Sequence, residues 1–313
     1  MRIRGIDFGR VWGASGVQGF FGEGYWFHHW LRPLGLNFDH ATFVAKTGTL
    51  YGCKGSMPLT DAWHPAERFP KCIKIAWQRG YALNAVGLSG PAFVHLFETK
   101  KWQKRTLPFF ISFMAIGSTP AARLDELRRF IRLFQSYRRS FITSVGLQLN
   151  YSCPNTGHDT RALVEEVEAG IREASALDIP LIPKFNISLS PEDAVRIGAH
   201  PACDGICISN TIPWGAYPEK IDWESLFGSK ESPLACFGGG GLSGKPLFPL
   251  VLDWVARARE AGFTKHLNAG GGILSTSDAH RMLHAGADSL SLGSVAFLRP
   301  WRVKRIIAKS NAR

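Results

Sequence analysis

Short apolar runs rich in β-branched and aromatic residues alternate along the whole chain with longer segments of helical period. The runs with the length and composition of buried strands are Phe43–Thr47, Ala82–Gly87, Phe109–Gly117, Val145–Ser152, Pro180–Asn186, Gly205–Thr211, His266–Gly270 and Ser289–Gly293. The helical segments, several of which open with a proline or a capping residue, are Pro91–Glu98, Pro120–Arg138, Thr160–Leu177, Pro191–Ala199, Pro246–Ala261 and Ser277–Ala285. About eight strands, each followed by a helix or long loop, predict an α/β fold of the (β/α)8 TIM-barrel type.

The organisation of the chain favours one domain over residues 1–313, because no repeat, low-complexity tract or linker divides it. The Gly/Ser/Pro-rich stretch Gly228–Gly244 is predicted as a long loop inserted near the carboxyl-end face of the barrel. A doubly wound open sheet is the competing topology, but its glycine fingerprint is missing from the first βα turn.

Composition excludes several classes of protein. No apolar stretch reaches the roughly 18 residues of a membrane span, and the amino-terminal residues lack the apolar core of a secretory signal. The 6 cysteines form no C-x-x-C pair, which predicts reduced thiols, no metal site and a cytoplasmic location. The net charge of +12 is spread along the chain, so it favours an anionic small substrate over nucleic acid.

Polar side chains end most of the predicted strands. They are Lys46-Thr47, Asn84, Asn150 with Cys153 and Asn155, Lys184, and Ser209-Asn210-Thr211. Since the carboxyl ends of barrel strands meet at one mouth, these groups are expected to converge there. Two lysines and four or more carboxamides would be costly to bury without a ligand, so the set predicts a binding site.

Glycine-rich segments occupy the places where a barrel commonly holds a phosphate. Gly270–Gly272 and Gly293-Ser294 end the last two predicted strands, and Gly238–Gly244 precedes the helix at Pro246. Glycines let backbone N–H groups approach an anion closely, and TIM barrels often bind phosphate with the loops after strands seven and eight. The three segments together predict a phosphorylated cofactor.

The segment Asn150-Tyr-Ser-Cys-Pro-Asn155 resembles the N-[LIV]-S-[CS]-P-N signature of dihydroorotate dehydrogenases, which are FMN-containing barrels. The similarity extends in order through Ala14-Ser15-Gly16, Lys46-Thr47, Asn84–Leu88, Lys184, Ser209–Thr211, Gly240–Pro246, Gly271–Ile273 and Gly293-Ser294. The central signature and the Gly-Gly-Leu-Ser-Gly-Lys-Pro block are the specific parts of this resemblance.

The resemblance implies bound FMN and oxidation of dihydroorotate, an anionic pyrimidine, to orotate. It assigns Cys153 as the general base of the branch that lacks a membrane segment, and it suggests a homodimer. The implied substrate contacts are Lys46, Asn84, Val86, Gly87, Leu88, Asn150, Asn155, Asn210 and Thr211, with the Gly87-Leu88 backbone receiving the carboxylate. The implied FMN contacts are Ala14, Ser15, Gly16, Lys46, Thr47, Asn150, Lys184, Ser209, Gly244, Gly271, Gly272, Gly293 and Ser294, with Lys184 facing the flavin ring.

The chain departs from the family pattern at two places. Tyr51–Thr60 replaces a G-N-P-x-P-R-like stretch, and Tyr151 replaces the aliphatic residue of the signature. Two other functions therefore stay open: an FMN barrel acting on another uracil-type ring, such as a tRNA-dihydrouridine synthase, and a non-catalytic flavin-binding scaffold. The sequence leaves the electron acceptor open among fumarate, a quinone, and NAD through a partner subunit.

Overall fold

A computed structural model describes residues 2–151 and 160–312 of the chain. Its main sheet has seven parallel strands in the order β3-β13-β12-β9-β8-β7-β6. These strands are β3 (Val11–Gly13), β6 (Phe109–Phe113), β7 (Val145–Asn150), β8 (Leu181–Phe185), β9 (Gly205–Ile208), β12 (His266–Gly270) and β13 (Ser289–Leu292). Most of their residues are buried, as expected for a parallel sheet covered on both faces.

Residues 42–49, here called the closing segment, join the two edges of this sheet. On one side Gly13 N–H donates to the Thr42 carbonyl oxygen over 2.9 Å. On the other side Ala45 N–H donates to Phe110, and Phe110 N–H donates to Phe43. The bridges on both sides are parallel, so the closing segment takes the place of an eighth strand and the sheet becomes a barrel. The predicted TIM-barrel fold is confirmed.

Helices cover the outside of the barrel. They are α1 (Trp26–Leu31), α2 (Phe93–Glu98), α3 (Pro120–Tyr137), α4 (Thr160–Ala174), α5 (Pro191–Gly198), α6 (Trp223–Phe227), α7 (Phe248–Glu260), α8 (Thr276–His284), α9 (Val295–Leu298) and α10 (Val303–Asn311). Sequence signals set several starts: the hydroxyls of Thr119, Ser190 and Ser275 each accept an N–H of the first turn. Within residues 2–151 and 160–312, no helix is both long and apolar enough to cross a bilayer.

A second, antiparallel sheet corrects one strand prediction and one loop prediction. Its order is β10-β11-β5-β4, built from β4 (Ile73–Ala76), β5 (Tyr81–Asn84), β10 (Ile212–Pro213) and β11 (Gly241–Gly244). The run Ala82–Gly87, predicted as a barrel strand, pairs here instead, and the barrel uses β3, which the sequence prediction missed. The predicted loop Gly228–Gly244 ends in a strand, because its last four residues pair with β5.

The amino end of the barrel is closed by a hairpin of β1 (Arg2–Ile3) and β2 (Ile6–Asp7). An apolar cluster fills the barrel just above it, formed by Ile3, Phe8, Trp12, Val44, Phe110, Ile182 and Cys207. The rings of Phe8 and Trp12 lie 4.3 and 4.6 Å from that of Phe110. This end is a packed core, which leaves the carboxyl ends of the strands to form the site.

Candidate active site

A line of hydrogen bonds crosses the carboxyl end of the barrel from β3 to β9. The Ser15 and Thr47 hydroxyls lie 2.8 Å apart, and the Asn150 amide donates to Thr47 Oγ1 over 3.3 Å. The Asn210 amide in turn donates to Asn150 Oδ1 over 3.1 Å. Thr47, Asn150 and Asn210, predicted from separate strand ends, are therefore brought together with Ser15, which the resemblance implies. Asn150 is buried at the end of β7.

Lys184 lies next to these hydrogen-bonded side chains, on β8, the strand between β7 and β9. It is in register with Asn150 on β7 and with Cys207 on β9, and it is only 7% exposed. Burial lowers the pKa of its ammonium group, and no acceptor in the described part of the chain pairs with Nζ. A buried cation without a protein partner is costly, which favours an electron-rich or anionic ligand at this position.

Lys46 lies at the end of the closing segment and points to the turn after β5. Its Nζ donates to the Ser89 carbonyl oxygen over 2.5 Å and lies 5.0 Å from the centre of the Phe20 ring. Burial lowers its pKa to about 8, with a smaller opposing influence from Cys53. At neutral pH the side chain is therefore a charged ammonium that burial has partly stripped of water.

The turn that Lys46 contacts presents unpaired backbone amides. Gly87 and Leu88 have φ of +67° and +63°, so two consecutive residues are left-handed. The N–H groups of Gly87 and Leu88 donate no hydrogen bond within the described residues. Successive free amides next to a lysine form a cradle for an anion such as a carboxylate. The resemblance implies that the Gly87-Leu88 backbone receives the substrate carboxylate, and both residues lie in this turn, directly after Val86.

Asn84 and Thr211 reach the site through the antiparallel sheet. The Asn84 amide donates to the Gly241 carbonyl oxygen over 3.4 Å. A Cβ at Gly241 would overlap the Thr211 hydroxyl, so both predicted contacts lie against one glycine of β11. The Thr211 N–H is held by Asn210 Oδ1 over 3.0 Å, which links this pair to the line of amides across the barrel.

The predicted phosphate loops also meet. A Cβ at Gly272 would collide with the Gly244 carbonyl, and a Cβ at Gly293 would lie 3.0 Å from that of Ala14. Gly244, Gly271 and Gly272 all have positive φ. The N–H groups of Gly272 and Ser294 have no acceptor in the described ranges. Close backbone packing with free amides suits the phosphate of a cofactor such as FMN, so these residues fit the group.

Cys153 and Asn155, the predicted base and a predicted substrate contact, lie outside the described residues. The preceding Tyr151 is described, and its ring stacks on Phe185 with centroids 5.8 Å apart. Gly170 of α4 leaves room for its hydroxyl, because a Cβ there would overlap it. Tyr151 therefore packs under α4, outside the barrel.

Sequence reasoning missed several residues that hold the site. Ser112 on β6 bonds the Thr47 hydroxyl over 2.8 Å and donates to Gln148 over 3.2 Å, and both polar side chains are buried. Ser89 supplies the carbonyl that binds Lys46. The sequence does contain a signal for Ser112 and Gln148, since each is a polar residue within a largely apolar strand. Ser89 carries no comparable signal.

The fold and the site define a class: an α/β-barrel enzyme whose carboxyl end buries lysines, amides and free backbone N–H groups. The chain belongs to the dihydroorotate dehydrogenase family, whose model matches residues 59–313. It is thus an oxidoreductase of a family that acts on a CH–CH bond, and the family predicted from the signature is confirmed.

Two relatives illustrate the extent of the similarity, and both are named dihydroorotate dehydrogenase B (NAD(+)), catalytic subunit. The protein of Thermotoga petrophila is 26% identical over 258 residues, covering 80% of this chain and 86% of the relative. The protein of Listeria monocytogenes serotype 4b is 25% identical over 304 residues, covering 95% and 86%. The similarity therefore covers most of this chain and most of each relative.

Solved structures agree on the fold. The crystal structure of the Eimeria tenella dihydroorotate dehydrogenase in complex with ferulenol superposes with a TM-score of 0.66 at 18% identity. That comparison covers 97% of this chain and 82% of the other. The ligand-free form from the same organism superposes with a TM-score of 0.67.

Proposed function

We propose that the protein oxidises dihydroorotate to orotate with bound FMN. The observation that carries the proposal is the buried ammonium of Lys46 beside the N–H groups of Gly87 and Leu88, which donate no hydrogen bond within the described residues. Dihydroorotate differs from the other dihydrouracil rings by its carboxylate, and a buried cation with free N–H donors is suited to that group.

The amide side chains hold the ring. Asn84, Asn150 and Asn210 each carry a donor and an acceptor, which match the alternating N–H and C=O groups of a pyrimidine edge. Their mutual hydrogen bonds and those to Thr47 and Gly241 restrict their rotamers before a ligand arrives. A ring bound by such a preorganised edge presents C5 and C6 in one orientation.

Cys153 is the proposed general base. By the family signature its thiolate accepts the proton from C5, while the hydride leaves C6 as the ring becomes unsaturated. When bound, FMN supplies the acceptor for that hydride. Lys184, which is buried and has no acceptor in the part of the chain that the structure describes, is proposed to stabilise negative charge that develops on the flavin ring.

Gly244, Gly271, Gly272, Gly293 and Ser294 are the proposed phosphate contacts. Ala14 and Ser15 sit against Gly293 and Thr47 and would line the rest of the cofactor. These assignments rest on the close packing of the loops and on their free amides. Under these assignments, the flavin and the pyrimidine ring bind at separate parts of the carboxyl end of the barrel.

The test is anaerobic reduction of the flavin-loaded protein with two rings. Dihydroorotate should bleach the flavin absorbance, and dihydrouracil, which lacks the carboxylate, should do so with kcat/KM lower by about 10²-fold or more. Equal reduction by both rings would contradict the carboxylate assignment and favour the uracil-type alternative. Absence of bleaching with either ring would favour the non-catalytic scaffold.

The proposal for the electron acceptor is based on the relatives, whose names include NAD(+) and the term catalytic subunit. We propose that NAD⁺ reoxidises this protein through a partner subunit. The test mixes the reduced protein separately with NAD⁺, fumarate or a soluble quinone. Without a partner subunit, its reoxidation by NAD⁺ should be slow. Rapid reoxidation by fumarate or the quinone would contradict this proposal while leaving the dihydroorotate reaction intact.

A further inference from the structure

The segment Gly52–Met57, here called the clamp loop, lies in the stretch that departs from the family pattern, and it packs against the anion-binding turn. Cys53 and Gly90 exchange backbone hydrogen bonds of 2.9 and 2.8 Å. Ser56 N–H donates to the Val86 carbonyl over 2.9 Å, and Met57 N–H donates to Ser89 Oγ over 3.0 Å. The clamp loop and residues 86–90 therefore form one hydrogen-bonded unit.

The clamp loop binds the carbonyls of the turn and leaves its amides free. Besides the bond to Val86, the thiol of Cys53 donates to the Gly87 carbonyl oxygen, with Sγ and O 3.3 Å apart. The Lys46 ammonium group donates a hydrogen bond to the Ser89 carbonyl oxygen, as described above. With these carbonyls held, the N–H groups of Gly87 and Leu88 donate to no group of the clamp loop. Leu88 is a non-glycine residue at φ +63°, a backbone conformation that L-residues rarely adopt without support from their surroundings.

The contact leaves no room for a side chain at Gly55. A Cβ there would lie 2.6 Å from the Val86 oxygen and 2.7 Å from the Gly87 oxygen, and closer still to Ser89 Oγ. Its φ of +52° also favours glycine. Any larger residue at this position must push the turn away from the loop, so the shape of the turn depends on Gly55.

We propose that Cys53 and Gly55 are positioning residues that shape the Gly87–Ser89 turn to receive the substrate carboxylate. This inference rests on the proposed function, because it takes the carboxylate of dihydroorotate or orotate as the ligand. Cys53 acts through the Gly87 carbonyl and touches no reacting atom. Selectivity for an anionic ring over a neutral one is then a property of the clamp loop as well as of Lys46.

The experiment compares orotate and uracil on the flavin-loaded full chain. Calorimetry gives the Kd of each ring, and anaerobic stopped flow gives the dependence of flavin reduction on dihydroorotate. Cys53→Ala should raise the Kd for orotate and the half-saturating dihydroorotate concentration about 5-fold, as expected for one lost hydrogen bond. The limiting rate of reduction and the Kd for uracil should change less than about 2-fold.

Two variants separate positioning from a structural role. Cys53→Ser keeps a donor and should restore orotate affinity to within about 2-fold of the parent. Gly55→Ala should weaken orotate binding by about 10-fold or more without the same loss for uracil. The matched control is Cys236→Ala, which removes an exposed thiol and should leave all four constants unchanged.

The outcomes distinguish the inference from the proposed function. If the parent protein neither binds orotate nor is reduced by dihydroorotate, both are wrong. If the parent does both and Cys53→Ala leaves the Kd for orotate unchanged, the inference alone is wrong. An equal loss of orotate and uracil binding, or a fall in the limiting rate that Cys53→Ser does not restore, would also overturn it in favour of a structural role.

Discussion

At the amino end of the barrel, buried polar side chains bond to each other, whereas at the carboxyl end they are left for a ligand. Cys207 Sγ donates to Asn268 Oδ1 over 3.1 Å, and the Asn268 amide donates to Ser289 Oγ over 2.8 Å. Ser289 also bonds His266 Nε2 over 2.8 Å, and the His266 ring stacks on Trp12. One ring nitrogen of His266 is the exception, since it lacks a partner in the described ranges.

The carboxyl end shows the opposite pattern within a few residues along the same strands. Lys184 is two residues beyond Ile182 of the apolar cluster, yet its ammonium group has no protein acceptor in the described part of the chain. The N–H groups of Gly87 and Leu88 likewise have no acceptor there. Burial alone thus does not mark a functional residue. What separates the two ends is whether the buried group is satisfied by the protein.

The largest effect is expected at the carboxyl end, where substitution should remove activity and leave the fold. Cys153→Ala should lower the rate of flavin reduction by dihydroorotate at least about 10²-fold, because a general base is lost. The variant should stay yellow, with an unchanged thermal midpoint. Stopped-flow reduction measures this, with Cys236→Ala as the exposed-thiol control. An unchanged rate would show that Cys153 is not the base.

The reverse result is expected at the amino end, where substitution should cost stability and spare the chemistry. Trp12 is fully buried between Phe110 and His266, so Trp12→Ala leaves a cavity and should lower the free energy of unfolding by about 3–5 kcal/mol. Trp12→Phe, a milder change, should lose less and still fold. Urea unfolding measures the loss, and the folded fraction should keep the parental reduction rate. A stable variant with a slow reduction rate would contradict the division between the two ends.

The difference between the ends also explains what the sequence could predict. Lys46, Asn150, Lys184 and Asn210 are found together because parallel strands of a barrel end at one edge, so polar residues at those ends must meet. Residues 82–87 were predicted in the wrong sheet, because one of their partner strands, β11, lies far away along the chain. The other partner, β4, forms a hairpin with β5, and no strand was predicted there. β3 was missed because three residues are too short to show periodicity.

The polar contacts of the amino end could not be predicted for a similar reason. His266, Asn268 and Ser289 have the same residue types as the ligand-binding positions, and only the structure shows that they bond to one another. The N–H groups of Gly87 and Leu88 have no acceptor in the described residues because of their φ values and the clamp loop, which residue identity does not specify. Sequence therefore identified the edge on which the site lies but not which groups are unsatisfied.

A smaller effect tests whether the hydrogen bonds that link Cys207, Asn268 and Ser289 stabilise the barrel. Asn268→Ala should lower the free energy of unfolding by about 1–3 kcal/mol, because Ser289 and Cys207 lose a buried partner. The matched control is Ser310→Ala, which removes a buried hydroxyl that has no partner in the structure and should be neutral or slightly stabilising. Equal losses in both variants, measured by urea unfolding, would mean that the polar chain adds nothing beyond burial.

The last prediction concerns pH and Lys46, whose pKa burial lowers to about 8. Orotate binding needs the charged ammonium, so its Kd should be constant below pH 8 and rise by up to about tenfold per unit above it. The Kd for uracil should stay flat. An unfolded lysine keeps its proton to about pH 10.4, so above pH 8 the unfolded chain binds more protons than the folded one.

The stability of the ligand-free protein should therefore change in the opposite direction to its orotate affinity. Between pH 8 and about 10.4 the desolvation penalty of Lys46 is relieved, and its contribution to the free energy of unfolding rises as binding weakens. Lys46→Met removes the titrating group and should abolish this part of both pH dependences. Calorimetry and urea unfolding across this range measure the two. An orotate Kd that is flat through pH 9 would show that the anion is held by the free amides of the turn without the charge of Lys46.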